Sequence, residues 1–195
     1  MKKLTLFAIA ALITTIAGAQ VQFGLKAGLN LANISVSPSE DGSSFKMKPN
    51  LNAGGLVYVP LFGHFGLQPE IMYSAQGTKI SAEGTSINYN LNYVNVPVLF
   101  KYKDASGFFA ELGPQISVLV AGKAKSGSES ADIKNQFKST DISGAFGIGY
   151  LSSLNLGIDA RYNLGLTNII KESDGNSAKN GVFQVGVFYM FGGKK

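Results

Sequence analysis

Few side chains in this 195-residue sequence could carry covalent or acid–base chemistry. His64 is the single histidine, so it alone could serve as an imidazole base for a serine or threonine nucleophile. The strand pattern developed below puts it in a short turn, far from the opposite rim where a barrel hydrolase would assemble its site. Cysteine is absent, which excludes disulfides, thiol chemistry and a lipid-modified N-terminus. Ser43-Ser44-Phe45-Lys46 fits the S-x-x-K spacing, but that spacing works on a helix beside a pocket and here falls in a polar link. Glu40, Asp41, Glu83, Glu129, Asp132, Glu172 and Asp174 lack the fixed spacing of a calcium loop. The glycines recur at every second position inside strands and form no phosphate cradle. The expectation is a protein that is not an enzyme and holds no cofactor or metal.

One constellation remains. Lys26, Lys101 and Arg161 are matched by Glu70, Glu111 and Asp159, three charges of each sign. Each occupies the polar phase of a two-residue alternation, so all six belong to one face. If that face lines a narrow interior, the charges must pair, because desolvation costs about several kcal/mol per isolated ion. The reading is a structural ion-pair network, with ion conduction or gating as the functional alternative.

The elements that would position them are eight alternating segments. These run over 21–34, 51–59, 65–76, 93–102, 108–120, 141–150, 155–167 and 182–191, with period two throughout. One face is apolar, as in Leu25, Ala27, Leu29 and Leu31, or Val94, Val96, Val98 and Phe100, and carries no charge. The other is read as glycine, asparagine, glutamine, serine and the six charges. Pro97 and Pro114 fall inside segments, where each removes a ladder donor, so a bulge or irregular pairing is expected at both.

Alternation alone would also suit a soluble sandwich. Three features favour a membrane barrel. Links after the second, fourth and sixth segments are short, whereas those after the first, third, fifth and seventh are long and polar, the asymmetry of periplasmic turns and external loops. On the uncharged face, Phe23, Phe65, Phe100, Tyr102, Phe108, Tyr150, Tyr189 and Phe191 gather at the end where the short links lie, as an interfacial girdle does. Segments of roughly ten residues suit a tilted spanning strand. The sequence predicts an all-β fold: an eight-stranded antiparallel up-and-down transmembrane β-barrel.

At the start, Lys2 and Lys3 precede the uncharged run from Leu4 to Ile16, and Ala17-Gly18-Ala19 offers a small-x-small cleavage site. Residues 1–19 are read as a cleaved signal peptide and residues 20–195 as the barrel domain. No later apolar stretch is long enough for a spanning helix. The formal charge of +5 includes four lysines at the two ends, and no basic run pairs with stacking aromatics, so nucleic acid is not an expected partner.

The stretch Tyr93-Val-Asn-Val-Pro-Val-Leu-Phe-Lys-Tyr102 resembles a segment of the Bacteroidota-type outer-membrane β-barrel family often called PorT-like. So do Phe109-Ala-Glu-Leu-Gly-Pro-Gln115, Asp159-Ala-Arg-Tyr-Asn-Leu-Gly-Leu-Thr-Asn168 and the closing strand from Val182 to Phe191. The resemblance implies the cell outer membrane of a Gram-negative-type envelope, with outer-membrane lipid and the barrel-assembly machinery as partners. The functional expectation is a structural or interaction protein with a side-chain-filled lumen, whose external loops contact unidentified envelope proteins. A small porin-like pore, or a component of an envelope secretion apparatus, is the alternative.

Overall fold

A computed structural model of the chain describes residues 21–37, 45–82, 85–126, 129–171 and 177–192; the expected signal peptide lies outside them. The described residues form β1 (Gln22–Ser37), β2 (Phe45–Phe62), β3 (Phe65–Ala82), β4 (Thr85–Lys103), β5 (Phe108–Ser126), β6 (Glu129–Asp132), β7 (Thr140–Leu151), β8 (Leu156–Gly165) and β9 (Ser177–Phe191). A 3-10 turn spans Lys134–Gln136.

Eight of these strands close into one antiparallel ring, β1-β2-β3-β4-β5-β7-β8-β9, and β9 returns to β1 from Phe23↔Phe191 to Ser37↔Ser177. Closure leaves no open edge within the ring, the condition for a sheet to cross lipid with its backbone satisfied. The short β6 stands outside the ring, paired to the far end of β5. The expected eight-stranded antiparallel barrel is the observed fold.

Burial follows the two-residue period. Leu25 is 61% exposed and Ile71 63%, while their chain neighbours Lys26 and Glu70 are 5% and 3% exposed. A one-residue slip in register would exchange these faces and put ions in lipid, so the pattern fixes the pairing strongly.

Three turns at one end are short: residues 63–64, 104–107 and 152–155. Asp104 organises the second, accepting hydrogen bonds from the amides of Ser106, Gly107 and Phe108 at 2.8, 2.9 and 3.1 Å. Asn155 takes φ +62° in the third, a conformation its short polar side chain tolerates.

At the other end the structure departs from the expectation of long loops on ten-residue strands. β1 to β5 run 16 to 19 residues. The long link expected after the third segment shrinks to residues 83–84, with Ala82 paired to Thr85. The cause is physical: above the bilayer both faces of a strand meet water, so alternation disappears while backbone pairing continues.

β7 and β8 stop lower, and two connecting segments fill the wall above them. They meet at the bridge Phe137↔Ile170, with the Lys138 amide donating to the Ile169 carbonyl at 2.7 Å. Ile169 in turn donates to the Ala178 carbonyl of β9 at 2.9 Å.

The two prolines bring irregular pairing without a bulge. The β3–β4 ladder passes from Pro69↔Val98 to Met72↔Asn95 in unchanged register, skipping Pro97. The β4–β5 ladder passes from Pro97↔Gln115 to Phe100↔Leu112, skipping Pro114. True register shifts fall elsewhere, at Asn92/Tyr93, Met47/Asn52 and Pro60/Phe62.

Candidate functional site in the lumen

The six charges meet inside the barrel because the pairing register stacks them. Lys101 is the rung partner of Glu111, Glu111 of Gly147, and Gly147 of Arg161. Gly147 leaves the gap through which glutamate and arginine touch; a Cβ there would stand 3.1 Å from the Glu111 Cγ. Asp159 is likewise the rung partner of Gly186, where a Cβ would lie 2.9 Å from Asp159 Oδ1 and 3.1 Å from Lys26 Cε.

Arg161 is the hub. Its Nη1 and Nη2 donate to Glu70 Oε2 and Oε1 at 2.8 and 2.7 Å, a two-pronged grip across the bore between β8 and β3. Its Nε and Nη2 reach Glu111 Oε1 at 3.0 and 2.5 Å. The planar five-donor guanidinium suits this double engagement, which an ammonium could not reproduce. Lys101 Nζ lies 2.9 Å from Glu111 Oε2, and Lys26 pairs with Asp159. Gln68 donates to Glu70 Oε1 at 2.7 Å. All six charged side chains are buried, and three cations face three anions, so the cluster is neutral.

Beyond the ions lies a layer of amides and hydroxyls. Asn30 donates to Ser74 Oγ at 2.9 Å and to the Ala75 carbonyl at 2.8 Å. Its own carbonyl accepts from Asn52 and Gln184 at 2.5 and 2.8 Å. Gln115 bridges Ser117 and Ser143, both at 3.2 Å.

Two apolar clusters complete the filling. Toward the short turns, Leu56, Tyr58, Phe109, Phe188 and Met190 pack together, with Phe109 and Phe188 edge to face at 5.9 Å. Lys101 Nζ sits 3.8 Å from the Phe109 ring centroid, so the ion cluster and this plug share a boundary. A cavity of about 10 Å³ remains among these residues, room for about one water. At the other end Ile34, Leu91, Tyr93, Leu119 and Ala178 enclose Ile133 and Ile169, which the two connecting segments bring inward.

These clusters correct the reading of the lumen face as small and polar. The signal was present: Tyr58, Leu99, Phe109, Phe188 and Met190 share the phase of the charges and are buried with them. Ile133 and Ile169 gave less warning, being isolated isoleucines in polar links that the sequence reading assigned to contact loops. His64 lies exposed in the first short turn, its Nδ1 3.1 Å from the Lys103 carbonyl.

The family described as "Outer membrane protein beta-barrel domain" matches residues 17–171. No curated protein sequence matches the chain significantly. Among solved structures, Neisserial surface protein A superposes with TM-score 0.54 at 16% identity, covering 87% of this chain and 97% of its own. Ail, the attachment invasion locus protein of Yersinia pestis, gives 0.48 at 17% identity over 88% and 99%. The outer membrane protein OprG of Pseudomonas aeruginosa gives 0.47 at 11% over 90% and 98%.

Proposed function

Because the chain belongs to the outer membrane protein beta-barrel domain family, we propose that it is an integral scaffold whose lumen is sealed and whose external extensions make its contacts. The supporting observation is the continuous filling of the bore: an apolar plug, a neutral ion cluster, an amide layer and a second apolar plug. Eight strands leave an interior just wide enough for side chains, which agrees with this filling. The six-residue cluster Lys26, Glu70, Lys101, Glu111, Asp159 and Arg161 then serves structure, tying opposite walls together. The resemblance of the fourth, fifth, seventh and closing segments supports a place in the Bacteroidota-type branch of such barrels.

Proteoliposome swelling distinguishes this reading from a pore. Vesicles loaded with the barrel swell no faster than empty vesicles in small sugars; swelling graded by solute size contradicts the scaffold reading. Export by cleavage after Ala19 belongs to the same proposal, and the intact mass of the membrane form then corresponds to a chain beginning at Gln20. A mass that retains residues 1–19 overturns it.

A further inference from the structure

We propose that Asp141 and the oxygen atoms beside it hold one monovalent alkali cation beneath the outer apolar plug. The charge balance of the interior calls for one. Among the described residues, the buried cations are Lys26, Lys101 and Arg161, whereas the buried anions are Glu70, Glu111, Asp159 and Asp141. The ion pairs use every one of these except Asp141, which has no described cation against it and yet is 3% exposed. A lone buried carboxylate is strongly unfavourable until a counter-charge or a proton neutralises it.

The register supplies the ligands. One rung joins Asn95 of β4, Ser117 of β5 and Asp141 of β7, all lumen-facing and buried. Side chains on neighbouring strands of a rung stand about 5 Å apart at Cβ, so these three line one short arc of the wall. Tyr93 lies one inward position nearer the outer end of β4 and belongs to the outer plug. Asn95 Oδ1 and the Tyr93 hydroxyl have no hydrogen-bond partner, although both residues are 1% exposed. The Ile142 amide donates to Thr167 Oγ1 at 2.9 Å, which leaves the threonine proton for Asp141 Oδ1 at 2.6 Å. The carboxylate is therefore an acceptor on that oxygen, and the free groups beside it offer lone pairs. A proton on Asp141 satisfies at most one of them, whereas a hard cation is coordinated by several oxygens at once. One carboxylate charge is balanced by one monovalent ion; a divalent ion leaves the site positive. Thr167 lies in the segment that carries Ile169 inward, so the ion also steadies the outer seal.

The test follows urea unfolding of the full barrel in neutral detergent at neutral pH. Sodium chloride is compared with N-methylglucamine chloride at matched ionic strength, so that screening is equal in both. Sodium stabilises the wild type, and near saturation each tenfold rise in its concentration raises the folded-to-unfolded ratio roughly tenfold. Asp141→Asn, which keeps an acceptor for Thr167 and removes the charge, loses this dependence. Asn95→Leu shifts it to higher sodium. Sodium-23 NMR gives a reading that needs no variant: the sodium line broadens when folded wild-type barrel is added. Equal stability of the wild type in the two salts overturns the proposal and makes a proton the neutralising charge. A sodium dependence that survives in Asp141→Asn, or a sodium line that the wild-type barrel leaves sharp, overturns it as well.

Discussion

Arg161 holds Glu70 across the bore and Glu111 through the gap at Gly147, so the cost of losing a charge here depends on which partner is stranded. Glu111→Ala leaves Lys101 buried without its carboxylate and removes one of the two anions on Arg161. A stranded member of a buried pair typically costs about 3–5 kcal/mol, whereas replacing both members by apolar residues can be nearly neutral. Lys101→Met with Glu111→Leu leaves two intact neutral pairs, Arg161 with Glu70 and Lys26 with Asp159. Urea unfolding in lipid should therefore find the single variant less stable than the double. Equal loss in both would mean that the ions are hydrated rather than paired. The six residues were legible because each is a charge in phase with an alternating run. The reach of Arg161 across the bore to Glu70 was not, since it depends on shear and on gaps such as Gly147, which the sequence does not order.

At the scale of strands, the barrel accommodates its inner rings by setting glycines beside them. A Cβ on Gly157 of β8 would stand 2.1 Å from the Phe188 Cζ on β9, and one on Gly149 would stand 2.3 Å from the Phe109 Cζ. Gly157→Ala should lower stability by about 1–3 kcal/mol through overpacking, and Phe188→Leu in the same chain should recover part of the loss. No recovery would show that the glycine is needed for its backbone alone. The outer face gives a second expectation. Val96→Arg and Val187→Arg place a cation in lipid and should each cost about 2–4 kcal/mol, while Thr140→Arg at the rim should cost about 0–1. Folding titrations in which all three variants lose alike would refute the placement of Val96 and Val187 near the membrane midplane. Period two made both faces readable wherever one meets lipid. It could not show that β3 and β4 continue to Ala82 and Thr85, because the sequence around Ser81, Thr85 and Ser86 carries no apolar–polar alternation to mark a strand.

For the whole molecule, closure and filling have different sequence origins. Closure follows from eight segments joined by short turns at one end, and was readable. The seal at the outer end depends on Ile133 and Ile169, two side chains brought inward by connecting segments that pair at Phe137↔Ile170. That arrangement arises from β7 and β8 ending below their neighbours, a difference in strand length that hydrophobic pattern does not encode. The central claim is that the bore is shut at four successive levels. Single-channel recording of the purified barrel in planar bilayers tests it most directly. The account predicts a baseline without discrete openings across a voltage range of both signs; regular, voltage-stable conductance steps from the wild-type protein would contradict it.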